Sequence, residues 1–153
     1  MSKNVLIVTC GLPASGKSTY SQWLAENGVF FRVCPDLIRK ELYGDENIQG
    51  DGKEVFSIAY HRIKELGSVG GNVVFDATNI DRNRRMKLVK EMRPHFDIII
   101  CKWFSTPYDI CVERNAERER QVPKEVILKM AWNFQPPTLD EGFDYVEEIK
   151  NYY

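Results

Sequence analysis

The chain has 153 residues, of which 43% are hydrophobic and 28% are charged, and its net charge is −1. This length suits one domain with its own core, and the near-neutral charge excludes a global field that would draw the chain to nucleic acid or membranes, although a local patch could still do so. The sequence has no basic-then-apolar signal segment, and no apolar run approaches the length of a membrane span.

Apolar runs alternate with helical patterns along the chain. The predicted strands are "NVLIVTC", "VFFRV", "NVVFDA" and "FDIIICKWF", and "DYVEEI" is read as a last edge strand. The predicted helices cover residues 17–27, about 36–42, 53–66 and about 81–93, followed by one opened by Thr106-Pro107 and one behind Pro123. This alternation predicts a parallel sheet with helices on both faces. Ligands of such sheets bind beyond the carboxyl ends of the strands, here after Cys10, Val33, Ala77 and Phe104.

The four cysteines are scattered and form no C-x-x-C pair. Their pattern predicts buried, reduced thiols in a cytoplasmic protein, in preference to disulfides or a zinc site. With only two histidines, a histidine-based metal site or a Ser-His-Asp triad has little to build on.

The first loop carries a complete Walker A motif, Gly11-x4-Gly16-Lys17-Ser18, between a predicted strand and a predicted helix. Glycines let the backbone approach phosphate oxygens, and the N–H groups at a helix start point at the anion. Lys17 is expected to bridge the β- and γ-phosphates of a nucleotide, and the Ser18 hydroxyl to ligate Mg²⁺. The alternative is a chance match in a glycine-rich turn.

The remaining motifs narrow the class of P-loop protein. The sequence has no Asn-Lys-x-Asp or Thr-Lys-x-Asp for reading guanine, and no apolar run that ends in two acidic residues as in motor ATPases. A small kinase that brings an acceptor hydroxyl to the γ-phosphate is the class that is left.

Asp36 follows the second predicted strand at a helix start, and Arg39 shares its helix face three residues later. A carboxylate can accept the proton of an acceptor hydroxyl, while an arginine can hold a nearby phosphate. The alternative is a helix-capping Asp36 beside a solvated Arg39.

The third strand ends in a second polar stretch. Asp76 can orient Mg²⁺-bound water or a basic partner, and Thr78 and Asn79 can contact the acceptor. Residues 82–93 then contain six basic residues and one acidic residue, which makes them a candidate nucleic-acid contact or a solvated helix face.

Arginines also mark the stretch before Pro123. Arg114 and Arg118 lie four residues apart on one predicted helix face, and Arg120 follows. An arginine-bearing lid that closes over ATP would neutralise charge on the transferring phosphoryl group, with an effect of about 10³–10⁵ in rate. The alternative is an ordinary solvated helix in which Glu113, Glu117 and Glu119 pair with the arginines.

In combination these stretches resemble the kinase domain of the polynucleotide 5′-hydroxyl kinases. "GLPASGKST" is similar to that family's P-loop, "CPDLIR" to its general-base stretch, "DATN" with the following "RR" to its acceptor-binding stretch, and "RNAERERQVP" to its lid. The segment "NFQPPTLDEGFDYVEEI" is similar to the C-terminal stretch of the eukaryotic DNA kinases. Two departures are Pro35, where relatives commonly have arginine, and a "DATN" stretch one residue longer than in the phage enzyme.

The resemblance implies a P-loop NTPase fold of the adenylate-kinase-like type, with residues 1–153 as a single kinase domain and a lid at about residues 113–124. It implies Lys17, Asp36 and Arg118 as catalytic residues. It implies nucleotide binding by Gly11, Pro13, Ala14, Ser15, Gly16, Lys17, Ser18, Thr19, Arg114 and Arg118. It implies acceptor binding by Arg39, Asp76, Thr78, Asn79 and Arg85, with ATP and Mg²⁺ as cofactors and a nucleic acid 5′-OH end as substrate.

Three functions are therefore weighed. The first is a polynucleotide 5′-kinase without an attached 3′-phosphatase, because no Asp-x-Asp motif of the kind used there is present. The second is a kinase for a small hydroxylated molecule such as an antibiotic or sugar, and the third a nucleotide-binding module without an acceptor. The aromatic residues Trp103, Phe104, Trp132 and Phe134 either stack on bases or belong to the core and the sheet edge.

Overall fold

The computed structural model describes residues 3–46, 48 and 50–150. Five strands form one sheet in the order β2-β3-β1-β4-β5, and every neighbouring pair is parallel. The strands are β1 (Val5–Gly11), β2 (Phe30–Val33), β3 (Asn72–Phe75), β4 (Ile98–Phe104) and β5 (Tyr145–Ile149). The predicted parallel sheet is confirmed, including the last edge strand.

Within the described part of the chain, six helices connect the strands. They are α1 (Lys17–Glu26), α2 (Pro35–Tyr43), α3 (Gly52–Ser68), α4 (Arg82–Met92), α5 (Tyr108–Glu117) and α6 (Lys124–Asn133), with short 3₁₀ turns at Arg93–His95 and Leu139–Glu141. Helix α4 is shorter than predicted because Asp81 lies before it and accepts a hydrogen bond from the Asn83 N–H as an N-cap. The polar stretch "GDENIQGDG", residues 44–52, lies partly outside the described residues, at Asn47 and Gln49.

The sheet separates two apolar clusters. The larger cluster packs Leu6, Val8 and Phe75 of the sheet against residues of α3 and α4 such as Ile63 and Leu88. The smaller cluster packs Ile7 and Val74, on the opposite side of the strands, against Leu24 of α1. Since alternate residues of a strand point to opposite faces, these clusters place helices on both sides of the sheet, as predicted.

All four cysteines are buried. Four aromatic residues were weighed above as base-stacking or core residues. Trp103 stacks on Phe134 with ring centroids 6.3 Å apart, and Phe104 is buried. Trp132, in contrast, is 81% exposed on α6. No described helix has the length and apolar character needed to cross a membrane. The cytoplasmic location stays a prediction.

The fold brings the polar strand ends to one edge. The loop after β1 leads into α1, the end of β2 leads into Asp36 at the start of α2, and Asp76 directly follows β3. Beyond β4, helices α5 and α6 flank residues 118–123, which are not helical. This edge is where a doubly wound sheet binds its ligands.

Candidate functional site

A cleft of about 1080 Å³ opens at the carboxyl edge of the sheet. Its walls come from the Walker A loop, the start of α2, the end of β3 and residues 114–130, which include most of the predicted lid. The residues that line it are Pro13, Ala14, Gly16, Lys17, Ser18, Thr19, Pro35, Asp36, Arg39, Phe56, Asp76, Ala77, Thr78, Arg114, Arg118, Arg120, Gln121, Val122, Pro123, Val126 and Met130. Of the predicted site residues, Gly11, Ser15, Asn79 and Arg85 are not among them.

The Walker A loop has the backbone of an anion cradle. Gly16, directly before α1, has a φ of 110°, which glycine adopts at little cost. At Gly11 a side chain would collide with the loop and with β4, because an added Cβ would lie 2.7 Å from Ser15 Oγ and 2.8 Å from the Phe104 carbonyl oxygen. The loop therefore presents backbone N–H groups at the start of α1.

Lys17 is buried beneath this loop, and its Nζ donates a 2.6 Å hydrogen bond to the Leu12 carbonyl oxygen. Burial lowers the pKa of Lys17, while the negative charge of Asp76 acts in the opposite direction. An ammonium group held at the loop in this way can exchange the carbonyl oxygen for an incoming phosphate oxygen.

Asp76 lies on the floor of the cleft within a buried network. Its Oδ2 accepts hydrogen bonds from Arg32 Nη2 at 2.6 Å and from Ser21 Oγ at 2.7 Å. The predicted basic partner of Asp76 is thus Arg32, which the sequence analysis did not single out. The only sequence feature that could have indicated a role for Arg32 is its position directly before Val33, at the carboxyl end of a predicted strand.

Hard oxygen donors are available for Mg²⁺ beside the loop. The Ser18 side chain is exposed at the cleft, and the Asp76 carboxylate faces the same space. Hydroxyl and carboxylate oxygens suit this ion, which keeps several waters and shares substrate phosphates. The residues present therefore fit a magnesium ion held by Ser18, with Asp76 reaching it directly or through water.

Asp36 and Arg39 face each other on α2, as their spacing predicts. Arg39 Nη1 donates a 2.7 Å hydrogen bond to Asp36 Oδ1, and the Asp36 side chain is 38% exposed. The second carboxylate oxygen, Oδ2, lies 3.3 Å from Nη1 of the lid residue Arg120. The carboxylate thus stands at the cleft between a helix arginine and a lid arginine.

The predicted lid contains a clamp formed by the side-chain amide of Asn115, which is buried at the end of α5. Asn115 Oδ1 accepts from the Val122 N–H at 2.9 Å, and its Nδ2 donates to the Val122 carbonyl oxygen at 2.7 Å. The same Oδ1 accepts from Arg118 Nη2 at 2.8 Å. Asn115 therefore closes the loop between α5 and α6 and orients Arg118, a role that the sequence analysis missed.

Two guanidinium nitrogens in the cleft are buried without a hydrogen-bond partner among the described residues: Nε of Arg39 and Nε of Arg118. Burial, together with the charge of Arg120, lowers the pKa of Arg118. A buried donor without an acceptor is costly. Oxyanions of bound ligands would satisfy both groups.

Asn79 and Arg85, two of the predicted acceptor contacts, lie outside the cleft lining. Asn79 has a φ of 46°, and its Nδ2 donates a 2.7 Å hydrogen bond to the Thr9 carbonyl oxygen. Arg85 is fully buried, and its Nε donates to Glu141 Oε1 at 2.6 Å. Both side chains tie chain segments together, whereas Thr78 does line the cleft.

The six basic residues of the segment 82–93 divide into two sets. Arg82 and Arg93, like Arg85, bind the segment 138–144 through Asp140, Glu141 and Asp144. Arg84, Lys87 and Lys90 are exposed on the helix. Half of the six basic residues thus hold the C-terminal segment in place.

A family model described as an AAA domain matches residues 6–137. The chain belongs to this AAA-domain family. It is 30% identical over 154 residues to the L-seryl-tRNA(Sec) kinase of Methanococcus maripaludis, covering 92% of this chain and 56% of that protein. It is 26% identical over 150 residues to the bifunctional polynucleotide phosphatase/kinase of Schizosaccharomyces pombe, covering 94% and 33%. This chain therefore spans about half of the length of the seryl-tRNA kinase and about a third of the length of the phosphatase/kinase.

Solved structures share the fold. A chain of the Pnkp1/Rnl/Hen1 RNA repair complex matches with a TM-score of 0.76 at 22% identity, over 87% of this chain and 44% of that chain. The Mycobacterium tuberculosis APS kinase CysC, solved with AMPPNP and APS, matches with a TM-score of 0.65 at 19% identity, over 99% and 91%. This AAA-domain chain thus has the P-loop kinase fold, as the resemblance implied.

Proposed function

We propose that the chain is an ATP- and Mg²⁺-dependent kinase that transfers the γ-phosphate of ATP to the 5′-hydroxyl end of RNA or DNA. The observation that carries this proposal is the shared cleft. The Walker A loop after β1 and the Asp36–Arg39 pair after β2 both line it, on either side of the end of β3. One side is built for a triphosphate, and the other offers a proton acceptor beside a cation.

On the donor side, the loop from Gly11 to Thr19 binds the phosphates through its backbone N–H groups. Lys17 moves from the Leu12 carbonyl oxygen to the β- and γ-phosphates, and Arg118 closes over them from the lid. Arg114 lines the same part of the cleft. Burial of Lys17 and partial burial of the two arginines strengthen their attraction to phosphate, because less water screens it.

On the acceptor side, Asp36 accepts or orients the proton of the attacking hydroxyl, while Arg39 holds the phosphate next to that hydroxyl. The unsatisfied Nε of Arg39 supports an acceptor that itself carries an oxyanion. Thr78 is the remaining acceptor contact at the end of β3. The seryl-tRNA kinase and the polynucleotide phosphatase/kinase to which this chain is similar are both named for nucleic-acid substrates, which supports an acceptor of that class.

The reaction is an in-line displacement in which the acceptor oxygen forms a bond to Pγ as the bond from Pγ to the bridging oxygen breaks. ADP leaves, and the acceptor proton passes to Asp36 or to solvent. Mg²⁺, when bound at Ser18, would offset the phosphate charge. The chain contributes positioning and electrostatics, with Lys17 and Arg118 stabilising the transferring group and no covalent intermediate.

The exposed residues Arg84, Lys87 and Lys90 extend this proposal to the body of the nucleic acid. They follow the acceptor stretch along α4, and α4 begins six residues after Asp76. Phosphates beyond the reacting end would contact this helix face, and the resulting affinity would fall as salt rises.

A kinase for a small hydroxylated molecule is the second candidate. This candidate is favoured by the structural similarity to an APS kinase, because the similar region covers 91% of the length of that kinase. For such an acceptor, transfer would respond little to salt, because few phosphate contacts are made.

An acceptor panel tests the proposal. Labelled ATP is offered with Mg²⁺ to matched 5′-OH and 5′-phosphate oligonucleotides of RNA and DNA, to L-seryl-tRNA, and to a set of sugars and aminoglycosides. The proposal predicts label on the 5′-OH oligonucleotides alone, less transfer as salt rises, and none without Mg²⁺. Label on a small molecule or on seryl-tRNA, with none on the oligonucleotides, would overturn it.

A further inference from the structure

The lid residue Arg120 spans the cleft and reaches the acceptor side. Its Nη1 lies 3.3 Å from Asp36 Oδ2, and its Nε lies 3.4 Å from Glu46 Oε1. Because Arg39 already occupies Asp36 Oδ1, both oxygens of this carboxylate face a guanidinium group. A carboxylate engaged on both oxygens has fewer lone pairs available to accept a hydrogen bond from an incoming hydroxyl.

We propose that Arg120 is a positioning residue that stays paired with Asp36 until an acceptor displaces Arg120 from the carboxylate. This pairing suppresses transfer of the γ-phosphate to water. This inference rests on the proposed function only in taking Asp36 as the group that accepts the proton. The acceptor frees Asp36 Oδ2 by offering Arg120 a phosphate in exchange for the carboxylate.

The reaction that Arg120 restrains is hydrolysis. Water attacks Pγ, the bond from Pγ to the bridging oxygen breaks, ADP leaves, and the proton of water passes through Asp36 to solvent. The balance is ATP and water giving ADP, inorganic phosphate and a proton. An open kinase cleft is exposed to this side reaction because water is a small hydroxyl compound.

The other lid arginine has a different position. Arg118 is bonded to Asn115, and its Nε is buried and unbonded within the described chain. Arg120 instead reaches two carboxylates that belong to α2 and the turn after it. Arg118 and Arg120 thus have different direct partners within one lid segment, and the contact of Arg120 couples lid position to the state of Asp36.

Acceptor-free ATP hydrolysis with Mg²⁺ tests this role. Arg120→Ala is expected to raise the hydrolysis rate about fivefold, as for loss of a partly exposed ion pair. The rise should vanish in the double variant Asp36→Ala/Arg120→Ala, and Arg120→Lys should raise the rate less than Arg120→Ala. Lys129→Ala, which removes the same charge from the exposed side of α6, should hydrolyse ATP at the wild-type rate.

Hydrolysis by Arg120→Ala at or below the wild-type rate, including no detectable hydrolysis in either, would overturn the role of Arg120, as would a rise that persists without Asp36. Thermal unfolding and titration with an ATP analogue establish that each variant is folded. The acceptor panel remains a separate measurement. Oligonucleotide transfer by the wild type with unchanged hydrolysis in Arg120→Ala would refute only the role of Arg120, whereas absent oligonucleotide transfer would refute only the proposed acceptor.

Discussion

Arg32 and Asp76, 44 residues apart in sequence, form an ion pair of 2.6 Å that links the carboxyl ends of β2 and β3. The carboxylate is almost completely buried at the floor of the cleft, near the ammonium group of Lys17. Arg32 thereby compensates the charge of Asp76 and, together with Ser21, engages its Oδ2 oxygen.

Removing Arg32 should cost both stability and transfer. Arg32→Ala leaves Asp76 buried with Ser21 as a remaining hydrogen-bond donor, so the unfolding free energy should fall by about 2 kcal/mol. Transfer should fall roughly tenfold as Asp76 reorients toward Lys17. Urea unfolding measures the stability, and steady-state kinetics measure the transfer. Ser21→Ala is the comparison variant, and its unfolding free energy should fall by only about 1 kcal/mol. An Arg32→Ala protein with wild-type stability would contradict this account.

Arg85 is expected to act on stability alone. Both side chains of the Arg85–Glu141 pair are 0% exposed, so Arg85→Ala leaves the buried carboxylate with only the more distant Arg82 as its cation and should destabilise the fold by about 3 kcal/mol. The matched control is Arg84→Ala on the exposed side of the same helix, with an expected change below about 0.5 kcal/mol. Equal unfolding midpoints for the two variants in urea would argue against the structural role of Arg85.

Asn115 should control the order of the lid. Asn115→Ala removes three hydrogen bonds made by one side chain, two to Val122 and one to Arg118. We expect faster proteolysis within residues 118–123 and a KM for ATP raised about tenfold, since ATP must then pay the cost of ordering the lid. Asn133→Ala, which loses one exposed hydrogen bond on α6, is the control. Unchanged proteolysis in Asn115→Ala would exclude the clamp.

Lys17 should destabilise the nucleotide-free protein. Its pKa in the folded chain is lowered from the ordinary 10.5, mainly by burial. Between that lowered pKa and 10.5 the unfolded chain binds the proton and the folded chain does not, so stability rises with pH across this interval. Lys17→Met should therefore be more stable than the wild type by about 1 kcal/mol at pH 7. In urea unfolding without ATP, the difference in unfolding free energy between Lys17→Met and the wild type should narrow as the pH approaches 10.5. A difference that does not change with pH would contradict this explanation.

The sequence predicted most of the fold because its signals are local. An apolar run before Gly11, a helix after Gly16 and a helix behind Pro123 each reflect the backbone preferences of a few neighbouring residues. The parallel sheet followed from their alternation. The ends of α4 were predicted one residue too far on each side, because Asp81 caps the helix rather than joining it.

The missed contacts are long-range in sequence. Arg32 and Asp76 are joined only when β2 and β3 pair, and no local pattern marks that partnership. Arg85 did carry a signal, because Leu88, Val89 and Met92 follow it at i+3, i+4 and i+7 and share its buried face. An arginine on an apolar helix face indicates a buried ion pair, whose partner Glu141 lies 56 residues away.

The central claim is that Asp36 serves the acceptor hydroxyl and not the nucleotide. The most direct test measures transfer from ATP to a 5′-OH oligonucleotide by Asp36→Ala, together with its affinity for an ATP analogue. We predict that kcat falls by about 10²–10⁴ while the affinity for the analogue stays within about threefold of the wild type. Wild-type turnover by Asp36→Ala, or loss of transfer caused by lost nucleotide binding, would contradict the account.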